Sequence, residues 1–220
     1  MLAIFKREFK SYFQNVIGWL FVAALLAVYG LYFYVYNLKN GYPYISYDLN
    51  GIGFIMMIAV PILTMRSLSD EKKTKTDQLM LTSPVSVGRI VAGKYFAMAA
   101  VYTIVIALFA LSPLVLSIYG KVALSEAYVA LFGYWLYGLS CIAVGLFISS
   151  ISESVIISAI LTFTALFLSY MMQSITGLIS SSGNLLTKVL NCFDLYTPFE
   201  NFVSGCFSVT SAAYYVTVIL

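Results

Sequence analysis

The chain contains no histidine, only three cysteines, and just nine acidic and twelve basic residues among 220. Without histidine there is no imidazole for general acid–base work or for a catalytic zinc site, and three cysteines are too few for a four-thiolate metal cluster. No catalytic residue, metal site or cofactor is therefore expected in this chain. Charge is as scarce as histidine: 10% of residues are charged against about 25% in an ordinary soluble domain. With 61% hydrophobic residues and a mean hydropathy of +0.93, a water-soluble globule is excluded. The length has to be counted in membrane spans of roughly 20 residues each.

What the sequence does have is long apolar runs. Residues 16–36, 49–65, 95–120, 127–152 and 154–173 are each long enough to cross a bilayer. A sixth run, 211–220, stops at Leu220 after about 10 residues, which at a helical rise of 1.5 Å reach about halfway across the hydrocarbon. The expectation is an all-α, polytopic membrane protein with six spans in a single transmembrane domain, the sixth cut short; a short re-entrant segment is the other reading. The first run exceeds the 7–15 residues usual for a signal peptide, and Tyr29–Tyr36 offers no small-residue cleavage site, so it is read as a retained span. The stretch 174–210 is too long for a turn and too broken by Gly183, Asn184, Lys188, Asp194, Pro198 and Glu200 to span. It is read as an external re-entrant region, whose irregular backbone must be buried in protein or face water.

Lys and Arg give the orientation. Nine of the twelve basic residues fall in the N-terminal segment (Lys6, Arg7, Lys10) and in the connection between spans two and three (Arg66, Lys72, Lys73, Lys75, Arg89, Lys94). Lys39, Lys121 and Lys188 fall singly in the alternate connections. This asymmetry predicts a cytoplasmic N-terminus and a cytoplasmic 66–94 loop, in an inner (cytoplasmic) membrane. Within residues 1–15, Leu2, Phe5, Phe9, Tyr12 or Phe13, and Val16 recur at helical spacing, with Lys6, Arg7, Lys10 and Gln14 between them. The pattern suits an interfacial helix among lipid headgroups, or else a helical extension of span one.

No ionisable residue sits mid-span: Arg66, Lys94, Glu126 and Glu153 all fall at ends, which weighs against ion-coupled transport. Gly88, Gly93 and Lys94 spell G-x-x-x-x-G-K, but Tyr95 follows where a phosphate loop needs Ser or Thr, and no strand precedes it. The segment reads as a helical lead into span three, and the chain is not expected to hydrolyse ATP. Gly138, Cys141, Gly145 and Ser149 form a stripe of small residues in span four, suited to close helix packing within the chain or to a subunit interface. Cys192 and Cys206 fall on the outer side and could form a disulfide, but nothing in their spacing demands one, and free thiols are expected. No nucleic acid is expected as a partner.

The most informative segment runs from Arg66 to Ser86. Arg66, Glu71, Thr76, Leu79, Met80, Pro84, Val85, Gly93 and Lys94 match in order the loop after the second span of ABC-2 type permeases, the membrane subunits of certain ATP-binding cassette transporters. A second match is Tyr196-Thr-Pro-Phe-Glu-Asn-Phe, similar to the aromatic segment those permeases carry before their sixth span; it contributes Tyr196, Pro198, Phe199 and Phe202. The chain thus resembles the ABC-2 family over essentially its whole length, most closely the compact branch with gliding-motility and copper-related permeases. Two positions depart from the pattern: Lys75 stands where glycine usually precedes the motif threonine, and Gln78 where an acidic residue usually follows it.

The resemblance implies a permease subunit, exporting its substrate, paired with a second copy or a homologue. ATP and Mg²⁺ would be held by a separate ATP-binding subunit. It implies that Arg66, Asp70, Glu71, Thr76, Leu79, Met80, Leu81 and Pro84 form the coupling element facing that subunit, and that Tyr196, Pro198, Phe199 and Phe202 cap the route on the outer side. In the loop itself, Thr76 can cap a short helix whose apolar residues need a groove, and Pro84 can end it. The other reading of the same residues is a solvated positive-inside connector resting on lipid. Tyr29, Tyr32, Phe33, Tyr34 and Tyr36 would suit an amphipathic cargo or an interfacial aromatic belt. A non-transporting membrane scaffold is the alternative function.

Overall fold

The computed structural model describes residues 2–75, 86–119, 122–179 and 193–220. These are mostly helical, with no strand among the described residues. In chain order the helices are α1 (Leu2–Gln14), α2 (Val16–Phe33), α3 (Ser46–Thr64), α4 (Ser69–Lys73), α5 (Val87–Phe109), α6 (Ser112–Tyr119), α7 (Leu124–Ile151), α8 (Val155–Ile179), α9 (Thr197–Val203) and α10 (Val209–Ile219). A π-helical turn, Tyr34–Lys39, continues α2.

Five segments are long and apolar enough to cross a membrane: Val16–Lys39, Ser46–Lys73, Val87–Tyr119, Leu124–Ile151 and Val155–Met172. The helix Val209–Ile219 is apolar but shorter. The middle of the bundle is α7, which packs on α3, α5, α8, α9 and α10. In lipid there is no hydrophobic drive between helices, so close approach has to come from shape. The small-residue stripe supplies it.

Local chemistry explains the breaks. The third apolar run, expected as one stretch from 95 to 120, starts at Val87 and divides into α5 and α6 just before Pro113. Proline cannot donate to the carbonyl four residues back, that of Phe109, and its ring crowds it. The Ser112 hydroxyl donates to Phe109 O instead, at 2.7 Å. In α3, Pro61 leaves the Met57 carbonyl without its helical donor, and one turn later Thr64 Oγ1 donates to Val60 O at 3.0 Å. Between the π-helical turn and α3, Gly41 takes φ 70°, a conformation that costs glycine little.

Helix α1 lies against α5 and α2. Phe9, Tyr12 and Phe13 pack on the core, while Lys6, Arg7, Lys10 and Gln14 are exposed. Val16, grouped with the aromatic face in the sequence pattern, is 77% exposed, because the chain turns at Asn15 and begins a new helix.

Candidate functional site

The chain leaving α3 is tied down within a few residues. Leu68 N and Ser69 N both donate to Ser149 Oγ at 3.2 Å, and Ser69 Oγ donates to Ser149 O at 3.1 Å. Lys72 Nζ donates to the Ser150 carbonyl. Ser149 and Ser150 belong to the last turn of α7, where carbonyls lack helical donors and the helix dipole favours a cation. Helix α4 has its own charges suitably placed, with Asp70 and Glu71 in its first turn and Lys72 and Lys73 in its last.

A second tie runs to α1 and α5. Lys94 is 2% exposed, yet its ammonium is held by acceptors: Nζ donates to Glu71 Oε1 at 2.6 Å and to Ser67 O at 2.7 Å, and pairs with Glu8 Oε1 at 3.8 Å. Arg7 completes the cluster from the solvent side, 2.7 Å from Glu8 and 3.9 Å from Glu71. A lysine this deep is tolerated only where carboxylates and carbonyls replace its water. Beside it, Tyr12 donates to Leu63 O at 3.4 Å. Burial first, and then the Glu8 carboxylate, push the Tyr12 phenol well above its ordinary value, so it remains a neutral donor. The segment Ser67–Lys73 is thereby clamped to α1 through Glu8, to α5 through Lys94 and to α7 through Ser149 and Ser150.

The expected coupling residues divide. Glu71 lies in the cluster, while Arg66 and Asp70 are exposed beside it. Thr76, Leu79, Met80, Leu81 and Pro84 lie outside the described residues. Lys75 closes the described part with φ 56°, one residue past Thr74, the C-cap of α4, where helices commonly finish on a left-handed glycine. For a lysine that conformation costs roughly 1–2 kcal/mol. Gly88 lies in the first turn of α5 and Gly93 and Lys94 further inside it, so the apparent nucleotide motif is helical and forms no phosphate-sized loop.

The stripe on α7 faces elements of the same chain. A Cβ on Gly138 would overlap the ring of Tyr102, which is fully buried on α5 and donates to Tyr134 O at 2.7 Å. At Gly145 a Cβ would meet Thr64 Oγ1 of α3 at 2.5 Å, and Ser149 makes the hydrogen bonds already described. Cys141 is buried between these contacts.

At the opposite end of α7 the aromatic segment is part of the core. Phe199 and Phe202 are fully buried and Tyr196 nearly so, with Pro198 half-buried in the first turn of α9. Phe199 stacks on Tyr137 with centroids 5.6 Å apart, and Phe202 occupies the space a side chain at Gly133 would need. Asp194 Oδ1 receives Tyr196 N and Thr197 N at 2.9 and 3.0 Å and so starts α9. Of the cysteine pair, Cys206 is exposed and Cys192 lies outside the described residues. Tyr29 stacks on Phe109 at 3.9 Å in the core, whereas Tyr34 is 58% exposed.

Sequence reasoning missed Glu8 altogether. It falls three residues after Phe5 and four before Tyr12, an acid on the aromatic face of α1, and that placement was the available signal.

Residues 29–219 match the family described as ABC-2 family transporter protein. The chain belongs to the ABC-2 transporter family. No curated protein and no solved structure matches it. As an ABC-2 permease it is a multi-pass membrane subunit of an ABC transporter, a family whose members work with an ATP-binding subunit. In the permease, Glu71 and Lys94, two residues of the family-like pattern 23 positions apart, bond to each other.

Proposed function

We propose that this permease exports an amphipathic cargo across the cytoplasmic membrane, driven by ATP hydrolysis in a separate subunit that docks on the 66–94 segment. Leu79 and Met80, with Thr76 beside them, enter a groove of that subunit, and Arg66, Asp70 and Glu71 flank the contact. Residues 1–15 lie on the cytoplasmic face, α10 begins a sixth crossing, and two permease chains, identical or homologous, enclose the route. The α9 segment with Tyr196, Pro198, Phe199 and Phe202 closes it on the outer side.

The observation that carries this reading is the double anchorage of Ser67–Lys73. A loop that merely joined two spans would gain nothing from a buried lysine and a serine knot. Through Lys94, Glu8 and Ser149 a push on the loop reaches α5, α1 and α7 together, the rigid connection that coupling between two sites requires. Nucleotide closure in the partner then does work only by favouring one packing of these helices over another.

Labelling tests the orientation and the docking together. Lys73 and Tyr42 are both exposed, at opposite ends of the bundle. A single cysteine at position 73 is expected to react in inside-out vesicles but not in intact cells, and to be protected when the ATP-binding subunit is bound. A cysteine at position 42 is expected to behave oppositely toward the membrane and to ignore the subunit. Reaction at position 73 from outside the cell overturns the orientation; equal reaction with and without the subunit overturns the docking.

A further inference from the structure

Far from the clamp, where α2 ends and α3 begins, the structure buries a second polar cluster for which the transport reading has no use. Asp48, in the first turn of α3, is fully buried, and Asn37 on the π-helical turn is 5% exposed. Asn37 Nδ2 donates to Asp48 Oδ2. The remaining oxygens, Asp48 Oδ1 and Asn37 Oδ1, are buried and have no hydrogen-bond partner. Two adjacent acceptors without a donor, one of them on a carboxyl group, are costly in an apolar bundle.

No cation relieves this. Every ion pair among the described residues lies in the Arg7, Glu8, Glu71 and Lys94 cluster at the other end. The ionisable groups near this end, on elements packed against α3, are Tyr29, Tyr32, Tyr34, Tyr36 and Lys39 from α2 and its extension, Glu126, Tyr128, Tyr134 and Tyr137 from α7, Tyr170 from α8, and Asp194, Tyr196 and Glu200 from α9 and its start. Tyr29 is bonded to Ser112, Tyr196 to Asn50, and Asp194 caps α9. Lys39 makes no ion pair with Asp48 among the described residues.

One proton meets both deficits. We propose that Asp48 and Asn37 form a proton-binding site in which the protonated carboxyl and the amide pair face to face. Asn37 Nδ2–H donates to Asp48 Oδ2, and Asp48 Oδ1–H donates to Asn37 Oδ1. The proton cancels the buried charge and supplies the donor that both orphan oxygens lack. The π-helical turn bears on this, since such turns interrupt regular helix where a side chain has to be presented out of register.

The pair joins α2 to α3, so the site is linked to their packing. When the two elements part and water enters, the Oδ1–H bond breaks heterolytically, the electron pair stays on the carboxylate, and the proton passes to water. At pH values where an exposed carboxyl is ionised and this one is not, each unit of pH changes the ratio of paired to parted states about tenfold.

Infrared spectroscopy of the full chain in lipid vesicles tests the site without transport or ATPase activity, so it stands or falls separately from the coupling reading. At neutral pH the wild-type chain is expected to show the C=O stretch of a protonated carboxyl that disappears in Asp48→Asn. That variant can still make both hydrogen bonds through its amide. Should Asp48→Asn fail to insert, Asn37→Ala reads the same site, because removing the amide must shift the band. Absence at neutral pH of any protonated-carboxyl band that depends on Asp48 or Asn37 overturns the proposal. A carboxylate band that responds to exchanging sodium for potassium also overturns it, and assigns the site to a metal cation.

Discussion

Lys94→Met is expected to uncouple the permease while leaving it in the membrane. The methionine fills the volume, but Glu71 and Glu8, whose side chains are 19% and 16% exposed, lose the buried cation between them. Breaking a buried pair from one side costs about 3–5 kcal/mol, because the surviving charge keeps its desolvation without its compensation. Arg7 stays near both carboxylates but is 57% exposed, so its attraction is screened by water and replaces little of what is lost. The double variant Lys94→Met/Glu71→Gln should recover much of the loss, since it removes both members of the pair. Thermal unfolding of the purified protein checks the stability, and partner-stimulated ATP hydrolysis checks the coupling. A single variant as stable and as active as wild type would mean that the clamp carries no load.

Gly138→Leu is expected to impair folding to a similar extent. Its side chain would have to displace Tyr102, a fully buried ring whose hydroxyl is bonded to the Tyr134 carbonyl. Overpacking costs about 1–3 kcal/mol, and the broken buried hydrogen bond adds about 1–3 more. Gly30→Ala is the matched control: a Cβ there meets nothing within 4 Å, and removing a helical glycine gains about 0.5–1 kcal/mol. Yield of folded protein and its unfolding temperature distinguish the two. If Gly138→Leu unfolds like Gly30→Ala, the stripe is not the close contact between α7 and α5.

These residues also show what one-dimensional reading reaches. The crossing helices were legible because the requirement for about 20 apolar residues is imposed by the bilayer and not by the fold. The interruption at Pro113 was legible in principle, since proline acts on its own helix, but an unbroken apolar count hides it. Gly138, Gly145 and Ser149 could be read as a smooth stripe, while their partners Tyr102, Thr64 and Ser69 could not. A periodicity reports that a face is small, not what comes to lie on it. Lys94 is the sharpest case. At the end of an apolar run it reads as a lysine reaching into headgroups, and only the return of Glu8 and Glu71 from 86 and 23 positions away makes it a buried ion. Asp48 falls just before the second apolar run, and nothing in that position announces that it is buried and met by Asn37 from the preceding helix. Lys75 went the other way: the departure from the glycine usual at that position in the family was visible in sequence, and its meaning became plain with a φ of 56°.

The coupling role is tested most directly at Leu79. On the proposed docking, Leu79→Asp places a charge where an apolar side chain would enter the partner's groove, at an expected cost of about 2–5 kcal/mol of docking. The site lies outside the spans, so the variant should insert and fold as wild type does. Co-purification with the ATP-binding subunit is the measurement, with partner-stimulated ATP hydrolysis as its companion. Both are predicted to fall at least about tenfold; the smaller end of that energy range corresponds to roughly thirtyfold in affinity. Retention of the subunit and of the stimulated rate in Leu79→Asp would contradict the account and leave residues 66–94 as a connector between two spans.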